Sequence, residues 1–311
     1  MPQKGVIIHV IDTVKYIYTD YGKNANLLET IPNYFEVVAE HNYNGEFVLS
    51  GNSKNLRIKV RRNRFSIENS LCKWYLGDNI NTLSQAQVLL ANEKLSDIFH
   101  VNINEANVTR LDLAKTFRMK YPVECYLSTL GQLNRYKRLE QPNGIIYRTN
   151  SKELIFYDKI KELKHNKGEN IPHGQNLLRY ELRFKNGLKN HFNQSEITPK
   201  TLSDDNFFRN AEKKYIAAYA QIQMNKIFNF SIGNAKGIKG LSNLGIAHLL
   251  NDIPVHIIIE QIKQQHKAGQ ISEKEKRGMI NKIKELSSNQ MCVSDTTFEN
   301  EINQKIVNEK S

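Results

Sequence analysis

Cysteine is scarce: Cys72, Cys125 and Cys292 are the only three in 311 residues, and they are widely scattered. That spacing gives neither a disulfide framework nor a metal-binding pair, and it suits a reducing cytoplasm. Long apolar runs are missing too. The longest candidates, such as Val255-His256-Ile257-Ile258-Ile259, stop far short of the ~20 residues a membrane helix needs. The chain does not open with a basic segment, an apolar stretch and a small-residue cleavage site, so secretion is not expected. No glycine-rich loop ends in Lys-Ser or Lys-Thr, which disfavours an ATP-driven motor. The nine histidines are dispersed without zinc spacing. His100, His165, His173 and His191, the nearest to the strands of interest, read as surface residues rather than ligands. Negative charge is in short supply: 32 Asp+Glu against 44 Lys+Arg leave a formal +12. The excess points to a polyanionic partner.

What is present describes a folded protein of one large or two modest domains. A β-branched run at Val6 to Val10 reads as a strand, followed by short strands at Phe47–Leu49, Leu56–Val60 and Phe65–Ile67. Thr82 to Phe99 carries Leu89, Leu90 and Leu95 at helical spacing, which predicts a helix packed on the sheet. Val108 to Ala114 is a further strand. Pro122 opens a helix bearing Val123, Tyr126, Leu127 and Leu130. A meander follows: Arg135–Glu140, a Pro142-Asn143-Gly144 turn, Ile145–Tyr147, then Glu153–Tyr157, with Leu177–Phe184 beyond it. After Ser203 the pattern turns helical. Phe207 to Ile222 is amphipathic, Gly233, Gly237 and Gly240 suggest a connector, and Leu241–His266 and Ser272–Leu286 suggest two more helices. The last ~24 residues are polar and expected to fray. These features predict an α+β fold with a mostly antiparallel sheet and flanking helices, dividing into 1–230 and a helical 231–311.

The chemistry begins with an echo. Arg110-Leu111-Asp112-Leu113 and Arg179-Tyr180-Glu181-Leu182 share one pattern, in which strand alternation puts arginine and carboxylate on the face opposite the apolar residues. If the two strands are neighbours, Asp112 and Glu181 would hold a hard divalent cation, Mg²⁺ or Mn²⁺. The plainer alternative pairs each acid with its own strand's arginines. Tyr157, followed by Lys159 and Lys161, is a candidate nucleophile for a phosphate ester. A free phenol has a pKa of ~10 and would need a cation or ammonium nearby; with fourteen tyrosines in the chain, a packing role is the alternative. Lys54, Arg57, Lys59, Arg61, Arg62 and Arg64 fall in a segment without an acid, and Leu56, Ile58 and Val60 alternate with Arg57, Lys59 and Arg61. One face of that strand is apolar and the other cationic, as a phosphate backbone requires. The alternative is a solvated edge strand protected by charge. Arg135, Lys137 and Arg138 with Tyr136 form a weaker cluster of the same kind.

Thr109-Arg110-Leu111-Asp112, then Phe156-Tyr157-Asp158-Lys159-Ile160-Lys161-Glu162, then Arg179-Tyr180-Glu181-Leu182-Arg183 occur in this order. Together they resemble the phage and plasmid replication proteins related to the filamentous-phage gene II protein and the rolling-circle plasmid initiators. Ile67 to Lys73, leading to Gly77 and Asn79, also resembles that family, and the similarity covers about residues 5–225. It implies a rolling-circle initiator: an origin-specific endonuclease and strand-transferase of the bacterial cytoplasm, with duplex and single-stranded origin DNA as substrate and a host helicase as a further candidate partner. By motif, Tyr157 would be the nucleophile that keeps the 5′ phosphate, and Lys159 or, through a Tyr-x-x-x-Lys spacing, Lys161 its partner. Asp112 and Glu181 would be the metal-side acids, with Glu68 and Glu162 as outside candidates. One departure is plain: the histidine–apolar–histidine pair of the wider tyrosine nickases is absent. A non-catalytic DNA-binding or copy-control protein and a water-using metal nuclease stay open as alternatives.

Overall fold

Residues that alternate between apolar and polar can bury one face of a strand and leave the other to water. Leu56 to Arg61 does this in the structure: Leu56, Ile58 and Val60 are buried while Arg57 and Lys59 are exposed. The computed structural model describes residues 10–21, 26–165, 174–225, 228–229, 237–288, 293–294 and 296–308. Ten strands form one sheet: β1 (Ile11–Thr19), β2 (Glu36–Tyr43), β3 (Glu46–Ser53), β4 (Leu56–Arg61), β5 (Arg64–Ser70), β6 (Asn107–Met119), β7 (Lys137–Gln141), β8 (Gly144–Arg148), β9 (Lys152–Asp158) and β10 (Asn176–Phe184). Their order is β2-β3-β4-β5-β1-β6-β10-β9-β8-β7, and each pairing is antiparallel. With its flanking helices this is an α+β fold.

Helices cover the apolar face. Helix Asp205–Tyr219, capped by the Asp204 side chain on the Phe207 amide, buries Phe207, Phe208, Ala211, Tyr215 and Tyr219. Tyr180 on β10 and Tyr215 each donate a hydroxyl to the other's carbonyl at 3.0 Å. The Tyr180 ring stacks on Phe156 of β9 with centroids 4.5 Å apart. This anchoring fixes β9 and β10 from behind, so that their opposite face is held ready for polar work.

Several expectations are corrected. The expected strand at Val6–Val10 lies, apart from Val10, outside the described residues; β1 follows directly at Ile11–Thr19. Helix Gln85–Phe99 buries Val88, Ala91, Asn92, Leu95 and Phe99, whereas Leu89 and Leu90 face outward. Leu241–His266 is broken: helix Gly237–Asp252 ends before Pro254, which caps helix Val255–Lys267, because proline lacks the amide a continuing helix needs. Gly237 and Gly240 thus belong to a helix, while Gly233 lies outside the described residues. Helix Glu273–Ser288 starts with the expected Ser272–Glu275 capping contacts.

The chain divides into two compact units, Met1–Met224 with Glu301–Ser311, and Asn225–Asn300. Among its described residues the polar tail does not fray. Helix Thr297–Asn303 leads into residues 304–308, with Ile302 and Ile306 fully buried. Glu301 accepts hydrogen bonds from the Lys120 amide at 2.9 Å and the Tyr126 hydroxyl at 2.6 Å. Among the described residues no helix is long and apolar enough to cross a membrane.

Candidate functional site

Strands β6, β10 and β9 lie side by side. Across β6 and β10, Asp112 opposes Arg183 and Thr116 opposes Arg179; across β10 and β9, Arg179 opposes Tyr157 and Arg183 opposes Glu153. Directly paired residues share a face, so Asp112, Glu181 and Tyr157 come together with Arg110, Arg179 and Arg183 on the side away from the packed tyrosines.

At the centre, Tyr157 Oη donates to Glu181 Oε1 at 2.9 Å. Glu181 also accepts from Arg179 Nε at 2.8 Å and from Arg183 Nη2 at 2.6 Å. Asp112 accepts from Arg110 Nη2 at 2.7 Å, and Arg183 Nε stands 3.6 Å from its Oδ2. Arg110 reaches on to Glu68 at 3.0 Å, which Lys15 also engages at 3.1 Å. Arg179 is fully buried. It donates to the Asn79 carbonyl and to Thr116 Oγ1, and it pairs with Asp12 at 2.9 Å.

The electrostatics push these groups apart. Burial alone would raise the Glu181 carboxyl, but the charges of Arg179 and Arg183 overcome it and hold it at about 2. Burial pushes Asp112 up to about 6 in spite of its Arg110 hydrogen bonds. Burial, then the adjoining Glu181 carboxylate, raises the Tyr157 phenol well above its ordinary value. The phenol in this arrangement is a neutral donor oriented by Glu181.

The two expected lysines do not relieve it. β9 ends at Asp158, and Lys159 and Lys161 lie on helix Lys159–His165. Lys159, fully buried, donates to Glu162 at 2.7 Å, and Lys161 pairs with Glu124 and stands 4.0 Å from Asp158. Both ammonium groups are therefore engaged by acids. The expected metal pair is similarly occupied. A cation between Asp112 and Glu181 would meet the Arg183 guanidinium, and each acid holds a further arginine. No group of three or more His, Cys, Asp or Glu suited to a metal exists among the described residues. As placed, this donor set does not fit a divalent cation.

Beside the cluster runs an open groove of about 820 Å³, lined by Lys15, Arg110, Arg183, Lys185 and Lys189 against two acids, Glu68 and Glu153. Arg183 belongs both to this groove and to the Tyr157 cluster. A smaller hollow of about 240 Å³ lies between Lys15 and the basic hairpin residues Lys59, Arg61 and Arg64. β4 is paired on both sides, by β3 and β5, so its charges do not guard a free edge. Arg61 pairs with Glu46, and Arg57 lies 3.9 Å from Glu68. Lys54 sits in the β3–β4 turn with its ammonium 5.9 Å from the Trp74 ring, and Arg62 occupies the β4–β5 turn.

Sequence reasoning missed Lys15, Lys185 and Lys189, which share no local pattern. It also read Gly144 as a turn residue only. Gly144 opposes Tyr157, and a Cβ there would lie 2.3 Å from the Phe156 carbonyl oxygen and 2.8 Å from Tyr157 Cβ, so the missing side chain makes room for the candidate nucleophile's strand.

Residues 35–210 match the family model described as the replication-associated protein G2P N-terminal region. No individually curated protein matches the chain.

Proposed function

Because the chain belongs to the family of phage replication-associated proteins represented by the G2P N-terminal region, we propose that it is a replication initiator that nicks and rejoins one strand of origin DNA through Tyr157. The observation that carries this reading is the 2.9 Å hydrogen bond from Tyr157 to Glu181, beside a groove edged by cations. A scissile phosphate entering from the groove meets Arg183 first. Drawing that guanidinium from Glu181 stabilises charge building on phosphorus and removes one of the two cations that hold Glu181 acidic. The phenol proton then passes to Glu181 as Tyr157 Oη bonds to phosphorus. The bond to the 3′ oxygen breaks, and that oxygen leaves as a hydroxyl with a proton from solvent. The 5′ phosphate stays on the tyrosine, and the reverse reaction joins the strand.

The cations of the groove and of β4 would track the strand on either side of the nick. Single-stranded substrate suits the site, because the Tyr157 hydroxyl lies against the sheet. A second reading, a replication protein that binds DNA without chemistry, is favoured by one observation: the acids around Tyr157 are each held by a guanidinium or an ammonium.

End-labelled origin oligonucleotides separate the readings. In the presence of Mn²⁺, label should be retained on the protein in a denaturing gel, and Tyr157→Phe should abolish it. Cleavage without an adduct would point to a water-using nuclease, and binding without cleavage to the second reading. Repeating the assay with a chelator tests whether arginines suffice: undiminished cleavage would remove Mg²⁺ or Mn²⁺ from the mechanism.

A further inference from the structure

The face of the sheet behind Tyr157 is covered by helices, but not completely. A polar hollow of about 210 Å³ opens beside Leu182 and Phe184, lined also by Lys152, Lys214, His191 and Tyr136. Lys152 stands at the start of β9, Lys214 on helix Asp205–Tyr219, and His191 on helix Leu188–Phe192. No carboxylate lines the hollow, and neither lysine has an ion-pair partner among the described residues. Lys214 is held with its ammonium 5.5 Å from the Phe192 ring. The His191 ring packs 5.2 Å from Phe184, and its Nε2 is buried without a hydrogen-bond partner. The His191 side chain is half-buried, with Nε2 turned away from solvent.

Two uncompensated ammonium groups around a small polar space repel each other, and a buried nitrogen without a partner forgoes a hydrogen bond. An anion of matching size relieves both. We propose that this hollow binds a phosphate group, with Lys152 and Lys214 supplying charge and His191 Nε2 donating a hydrogen bond once protonated. The site stands apart from the Tyr157 cluster and does not depend on nicking chemistry. The phosphate would come either from a DNA backbone or from a free phosphate.

The titratable residues that line the hollow with His191 are Lys152, Lys214 and Tyr136, with no acid among them. Burial, followed by the Lys152 charge and more weakly Lys214, lowers its proton affinity against an opposing hydrogen bond with the Asn186 backbone. A bound anion reverses the electrostatic part, so binding takes up a proton and weakens as pH rises.

The full-length protein tests this by imidazole NMR, titrated over pH at ionic strength fixed with chloride. Inorganic phosphate should shift the His191 midpoint upward, and Lys152→Gln/Lys214→Gln should bind it about tenfold more weakly, as expected for lost charge-assisted hydrogen bonds. A short single-stranded oligonucleotide that moves the midpoint where phosphate does not would identify the DNA backbone as the source. The proposal is overturned if neither ligand moves the midpoint, or if the double variant responds as the parent does. The parent titration stands as a test by itself should the variant fail to fold.

Discussion

Arg183 touches both acids of the candidate site, Glu181 at 2.6 Å and Asp112 at 3.6 Å, and so occupies the space a bridging cation would need. Arg183→Ala should therefore gain affinity for Mn²⁺, by on the order of tenfold or more, because two buried carboxylates lose a shared counter-charge. Calorimetric titration of the two proteins checks this, and equal affinities would mean that the acids do not converge on one point. Glu181 carries a pH signature of its own. Its carboxyl falls from 4.5 to about 2 on folding, so it stabilises the protein above pH 4.5 and loses that contribution as pH drops toward 2. Glu181→Gln should be less stable at pH 7 by roughly 3–5 kcal/mol, since it strands buried arginines. The gap from the parent should narrow between pH 4.5 and 2 in urea titrations. A gap independent of pH would show that Glu181 is not the group held down.

At the scale of elements, β4 presents its cations on one face while paired on both edges. Arg57→Ala/Lys59→Ala/Arg61→Ala should make the salt dependence of single-strand binding shallower by roughly 2 in log–log slope, at ~0.7 per phosphate contact. An unchanged slope would take β4 out of the interface. This strand was legible because its period of two is clean and local. β1 was not: Asp12 interrupts it, and aspartate is depleted in strands because it solvates its own backbone. Here the Asp12 carboxylate instead accepts from Ser70 at 2.6 Å and pairs with Arg179, contacts that only the assembled sheet creates. Helix Gln85–Phe99 misled for a related reason. Leu89 and Leu90 are its most conspicuous residues, yet the stripe that packs runs through Val88, Ala91, Leu95 and Phe99, where Ala91 is easily overlooked. Alternation correctly grouped Asp112 with Arg110, and Glu181 with Arg179 and Arg183. That Arg183 would reach across to Asp112, and that both lysines after Tyr157 would be tied to acids, follows from strand order and helix placement, which no local pattern encodes.

At the scale of the whole molecule, the chain leaves its first unit at Met224 and returns to it at Glu301. The return is structural. Glu301 accepts from Tyr126 and the Lys120 amide, and Ile302 and Ile306 are fully buried. Ending the chain at Asn300 should destabilise this unit by roughly 3–6 kcal/mol, from two lost isoleucine burials and the lost hydrogen bonds to Glu301. Urea denaturation followed by the intrinsic fluorescence of Trp74, which lies in this unit, reads that loss; an unchanged midpoint would mean the return segment is dispensable. The shortened chain is also a stage in the birth of every copy. The ribosome reaches Glu301 only after polymerising the whole of 225–300, so the unit interrupted at Met224 waits for all of the other before it can close, and a transcript cut short anywhere in between yields a polypeptide without its closing clasp.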